Sequence, residues 1–106
     1  MRHNIFALPP GTLESEQFDE LAAGKDVRIE RIVSRGHTSP EEGWYDQPQH
    51  EWVTVLQGRA VLAFASGEEV ELAPGDHLTI PAHCRHRVKW TDPQQATVWL
   101  AVHYSA

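Results

Sequence analysis

From Val27 onward the chain alternates apolar and polar side chains with a period of two. Val27-Arg28-Ile29-Glu30-Arg31-Ile32-Val33 therefore predicts a strand, ended by a loop rich in Ser, Pro and Gly from Ser34 to Gly43. Trp44 to Gln47 predicts a short extended piece before Pro48. Glu51 to Leu56 predicts a stronger strand, built of β-branched and aromatic residues. Gly58 breaks that run, Ala60 to Ala65 resumes it, and Ser66-Gly67 turns it back into Glu69 to Leu72. Pro74-Gly75-Asp76 is a turn, His77 to Ile80 a strand, and Pro81 to Arg85 a loop. His86 to Trp90 and Thr97 to Tyr104 complete the set around the turn Thr91-Asp92-Pro93. About eight short strands with a turn signal every 8 to 12 residues or so predict an all-β fold, an antiparallel β-sandwich or jelly-roll barrel.

The first 26 residues have a different pattern. Pro9-Pro10-Gly11 is a turn, and Phe18, Leu21 and Ala22 fall at helical spacing in the run from Thr12 to Ala23, which Gly24 closes. One short N-terminal helix is expected there, capped by Thr12 or Ser15. The predicted organisation is an extension over 1–26 followed by a β-barrel domain over 27–106.

A length of 106 residues allows one domain with one core. By area scaling the folded surface is roughly 6,000 Å² against roughly 17,000 Å² unfolded. The net charge is −6 with nine scattered Lys and Arg, so no nucleic-acid footprint is expected. Arg85, Arg87 and Lys89 alternate, as solvated charges on one face of a strand do. The lone Cys84 excludes a disulfide scaffold and suggests a reducing compartment. No apolar run approaches the roughly 20 residues of a membrane span, and the start lacks a signal-peptide stretch, so a soluble cytoplasmic protein is expected. Seven histidines are the unusual part of the composition: protonating all of them would take the charge from −6 to +1.

Two segments hold the candidate chemistry. The first runs from Trp44 to Gly58, with six residues between Glu51 and Gly58. The second contains Gly75, then five residues, then Pro81, and ends at His86. They resemble the two motifs of the cupins, G-x5-H-x-H-x3-4-E-x6-G and G-x5-P-x-G-x2-H-x3-N, over roughly Val27 to Tyr104. The resemblance implies a small single-domain cupin barrel. It also implies one divalent metal held by the paired histidines and the glutamate of the first motif and the histidine of the second. Glu51 and His86 fill their slots. The histidine slots fall on Tyr45 and Gln47 at the shorter spacing, or on Trp44 and Asp46 at the longer one.

Substitute ligands stand nearby. Gln47 offers a carbonyl oxygen; Asp46 offers a carboxylate but is also a good turn former. His50 precedes Glu51 and points to the opposite face of a regular strand unless a bulge rotates it inward. His83 takes the slot where the motif has glycine, three residues before His86; Cys84 between them is a soft donor or a small buried apolar residue. The candidate metal set is thus Glu51, His86, Gln47, His50 and His83. His3, His37 and His77 have no partner at useful spacing.

Strand phase groups Glu51 with Val53 and Val55, and His86 with Val88 and Trp90, each an apolar face opened by one polar residue. Arg31 shares a face with Val27, Ile29 and Val33, and an inward Arg31 is the expected non-metal partner of Glu51. His103 shares a face with Trp99 and Ala101. Arg31, Trp44, Tyr45, Trp90 and His103 are the candidate pocket residues, and Tyr45 and His86 the candidate acid or base groups.

Two functions follow. One is a barrel holding a divalent metal (Zn, Mn, Fe or Ni) and a small polar molecule, with isomerisation, lyase or oxygenation chemistry open. The other is a metal-free pocket for a sugar or a small acid. Trp52, Leu56 and Leu100 form an apolar outer face, so a homodimer is expected in either case.

Overall fold

A computed structural model describes residues 2–8, 16–39 and 43–105. Among the described residues eight strands follow in order: β1 (Gln17–Gly24), β2 (Val27–Ser34), β3 (His50–Gln57), β4 (Ala60–Phe64), β5 (Glu69–Leu72), β6 (His77–Ile80), β7 (His86–Thr91) and β8 (Thr97–Tyr104). They make two antiparallel sheets, one ordered β1-β2-β8-β3-β6 and the other β5-β4-β7. Among the described residues no helix is long and apolar enough to cross a membrane.

Both sheets turn one apolar face inward. Ile32, Val53, Val55, Ile80, Trp99 and Ala101 come from the larger sheet and meet Ala60, Leu62, Leu72 and Val88 from the smaller. Each fully buried Val or Leu contributes about 1.5–3 kcal/mol, so this face-to-face packing holds the barrel. Register decides which residues take part. On β3 and β8 the odd-numbered residues point inward, with Glu51 opposite His103 and Val53 opposite Ala101. On β2 the pairing of Glu30 with Ala101 and Ile32 with Trp99 turns the even-numbered residues inward.

The N-terminal segment departs from expectation. Residues 12–15, including both candidate caps, lie outside the described residues. From Gln17 to Gly24, where a helix was expected, the chain is strand β1, paired antiparallel with β2 from Gln17 opposite Val33 to Gly24 opposite Val27. Lys25-Asp26 makes the reversal, with Asp26 at φ 59°, a conformation that Asp tolerates better than most residues. The helical spacing of Phe18, Leu21 and Ala22 is overridden by an open edge of β2 that needs a partner for its backbone. The register shifts between Glu20 and Ala22, so the residues on either side of Leu21 do not keep a strict period of two.

A second irregularity sits in β7. Leu62 pairs with Val88 but Val61 pairs with Trp90, which leaves Lys89 as an extra residue. One inserted residue flips every side chain beyond it. Val88 therefore faces the core while Trp90 turns outward and is exposed.

Candidate functional site

A cavity of about 70 Å³ lies between the sheets and is lined by Glu16, Glu30, Glu51, His86 and His103 on an otherwise largely apolar wall. At 10–15 Å³ per water-sized group this is room for roughly five such groups. Ile32, Val53, Leu62, Ile80 and Trp99 supply much of that wall.

Glu51 and His86 meet across the two sheets. His86 Nε2 lies 3.6 Å from Glu51 Oε1, and both side chains are buried. On its other side His86 Nδ1 sits 2.9 Å from the Cys84 carbonyl. A carbonyl only accepts, so Nδ1 carries the hydrogen and the neutral ring turns its Nε2 lone pair toward Glu51 and the cavity. Burial alone would lower the His86 pKa. The Glu51 carboxylate and the Cys84 carbonyl outweigh it and raise the pKa above its ordinary value. Gln47 Nε2 donates to the same Glu51 oxygen at 3.2 Å.

The segment holding Tyr45 and Gln47 is strapped to the loop before β7. Tyr45 N donates to the His86 carbonyl at 2.8 Å, His86 N to the Tyr45 carbonyl at 3.2 Å, and His83 N to the Gln47 carbonyl at 2.8 Å. The extended piece expected over Trp44 to Gln47 is thus a single bridge at Tyr45. It sets the Tyr45 and His86 rings 5.6 Å apart and places Tyr45 and Gln47 on the cavity wall.

A second acid and imidazole pair lies deeper. His103 Nε2 is 2.8 Å from Glu30 Oε1, with both side chains nearly buried. Arg28 Nε reaches the other Glu30 oxygen at 3.6 Å. Beyond it Ser34 Oγ donates to Glu16 Oε2 and accepts from Trp99 Nε1 at 3.1 Å. Burial is the main influence on Glu16 and raises its pKa, against the opposing pull of Ser34 and His37.

Of the residues singled out from the sequence, Glu51, His86, Gln47, Tyr45 and His103 come together at the cavity. The others stand elsewhere. His50 is on the outer side of β3, where its Nδ1 accepts from Ala82 N at 2.9 Å and its ring lies 5.4 Å from Tyr104. No bulge rotates it inward. His83 is exposed and meets Asp46 at 2.8 Å outside the cavity. Trp44 lies at the surface beneath the Arg87 guanidinium, 4.9 Å from the ring centroid, and Trp90 is turned out by the Lys89 bulge. Arg31 is on the wrong face: it binds Asp19 at 2.7 Å and the carbonyls of Ile5 and Ala7 at 3.0 Å. It therefore does not balance Glu51.

Glu30, Glu16 and Phe18 line the cavity and were not singled out. Sequence phase favoured the face of Val27, Ile29 and Val33 because it is the more apolar one. The opposing signal was Glu30 two residues before Ile32, a carboxylate in a strand whose register to Trp99 only the fold reveals.

Among the described residues no three of His, Cys, Asp and Glu are grouped so that they could hold an ion. With His50 and His83 turned away, the motif slots supply Glu51 and His86, and the Gln47 amide nitrogen is engaged on Glu51. The residues present do not fit the metal centre that the motif resemblance implied.

Comparison with known proteins agrees with this architecture. One solved structure, a protein of Ralstonia eutropha JMP134 provisionally named as a mannose-6-phosphate isomerase, is 47% identical with a TM-score of 0.94, covering 100% of this chain and 99% of its own. A cupin superfamily protein of Desulfitobacterium hafniense DCB-2 is 20% identical with a TM-score of 0.74 over 92% of this chain and 84% of its own. A Thermus thermophilus protein is 17% identical with a TM-score of 0.79 over 98% and 96%. Among curated proteins none matches. The family model for the cupin domain matches residues 32–103, most of the chain and all of the cavity's strands except β1 and the start of β2, and the protein belongs to the cupin family.

Proposed function

We propose that the cavity binds a small uncharged molecule bearing hydroxyl groups, without a metal, and that Glu51 as the base and His86 as the acid orient it. The observation behind this is the charge of the lining. Among the described residues three glutamates and two histidines face the space, and no Lys or Arg lines it. A phosphate or carboxylate there would face the acids Glu16, Glu30 and Glu51; Arg28 offsets Glu30 from outside the lining and the imidazoles are left to answer the rest, which is unfavourable in a partly desolvated site. A hydroxyl both donates and accepts, so it can give its hydrogen to Glu51 and receive one from protonated His86. The small volume admits one end of such a molecule. The Ralstonia relative's name includes a sugar phosphate; the sugar part suits this lining, whereas its phosphate finds no Lys or Arg among the described lining residues.

Proton transfer is within reach of the same pair. His86 Nε2 and Glu51 share the cavity, so a proton taken from the ligand by one can be returned by the other. Ligand-observed NMR with D-mannose and D-mannose 6-phosphate tests the binding. Expected is binding of the first, weaker binding of the second, and loss of both in Glu51→Gln and His86→Gln. Metal content, measured on protein purified without an affinity tag, tests the rest. Stoichiometric metal that disappears in both variants would overturn the metal-free reading.

A further inference from the structure

The deeper pair, Glu30 and His103, lies outside both cupin motif segments and takes no part in the roles given to Glu51 and His86. It is a costly feature. A carboxylate and an imidazole 2.8 Å apart, both nearly buried, sit where a well-packed apolar pair would serve stability as well or better. Its position is also specific. His103 is paired in backbone register with Glu51 on β3, both line the cavity, and the His103 Nε2 is engaged on Glu30 of β2. His86 then faces Glu51 from the opposite sheet. Four groups from β2, β8, β3 and β7 thus form one row along a single cavity.

We propose that Glu30 and His103 are a second acid–base centre of this cavity, so that a hydroxylated ligand is held at two points and the two pairs share protons as one network. This rests on the reading of Glu51 and His86 as the first centre. The groups facing the row are Glu16 beside Ser34, Arg28 at the outer oxygen of Glu30, Tyr45 beside His86 and Gln47 on Glu51. Arg28 holds one Glu30 oxygen while His103 holds the other, so Glu30 is the fixed end. His103, hydrogen-bonded to Glu30 and in register with Glu51, is the residue that links the two pairs.

The test uses the full chain and two measurements. In the first, the side-chain resonances of His86 and His103 are followed by NMR against pH, without ligand, in the wild type, Glu30→Gln and Glu51→Gln. Shared protons predict that each variant moves the titration of both histidines. If Glu30→Gln moves His103 alone and Glu51→Gln moves His86 alone, the pairs are independent and the network is overturned. In the second, D-mannose binding is compared in the wild type and His103→Gln. A second anchor predicts binding weaker by roughly tenfold or more, as expected for losing a hydrogen bond to a charged group. Unchanged binding in a folded His103→Gln overturns the second anchor while leaving Glu51 and His86 in place. Should the wild type not bind D-mannose, the reading of the first centre fails for that ligand, and the ligand-free titration still decides the network. If Glu30→Gln does not fold, Glu30→Asp keeps the charge, draws the carboxylate back, and is expected to shift both histidines by less.

Discussion

His83 and His86 leave the same loop three residues apart, and each meets a carboxylate from the stretch 46–51. The His83–Asp46 contact is the shorter, at 2.8 Å, yet its side chains are 69% and 48% exposed. The His86–Glu51 contact is longer, at 3.6 Å, with side chains 6% and 10% exposed. Distance is therefore a poor guide to consequence. In water the shorter pair is screened and contributes about 0–1 kcal/mol. Inside the barrel the longer pair interacts through protein, and removing one partner strands the other in a place that cannot solvate it.

Replacing each histidine breaks or confirms that contrast most directly. His86→Ala removes the ring, its hydrogen bond to the Cys84 carbonyl and the partner of Glu51, and is expected to cost about 3 kcal/mol. His83→Ala removes an exposed contact and is expected to cost less than about 0.5 kcal/mol. Urea unfolding of the two variants gives both numbers. Equal losses would mean that burial does not separate the pairs.

The pH dependence of stability sharpens the same point. A histidine whose pKa is raised on folding stabilises the protein fully below its unfolded pKa, near 6.5, and that contribution fades as pH rises through the folded value. The wild type should therefore lose stability as pH climbs from 6.5 through that folded midpoint. Glu51→Gln removes the carboxylate that raises His86, and its stability should be flatter over that window. Thermal melts across the range check this; a slope that survives in Glu51→Gln would assign it to another group.

Much of this arrangement was legible in the sequence, and the failures have physical causes. Strands from Val27 onward could be read because alternation and turn residues are local signals. Glu51 and His86 could be placed together because their motifs fix spacing along the chain. Trp90 could not be placed, because the Lys89 bulge that flips it costs one residue and leaves no mark in composition. Arg31 and Glu30 exchanged roles for a similar reason: they are adjacent, and the register of β2 against β8 decides which one faces the cavity. The helix expected from Thr12 to Ala23 failed over β1 because pairing with β2 outweighed the intrinsic preferences of Glu, Leu and Ala.

The smallest effect expected sits at His83 and has two opposing parts. His83 occupies the slot where the cupin motif has glycine, and its φ of 61° keeps the left-handed backbone that such a slot favours. A side chain there costs on the order of 1 kcal/mol relative to glycine. His83→Gly relieves that cost but gives up the exposed contact with Asp46 and adds freedom to the unfolded chain. The net change is expected to be a stabilisation of no more than about 0.5 kcal/mol, read from the urea midpoint. Asp46→Asn separates the parts, because it removes the ion pair and leaves the backbone alone. If Asp46→Asn costs more than about 1 kcal/mol, the exposed pair is stronger than screening allows, and solvent exposure ceases to explain why the two neighbouring histidines differ.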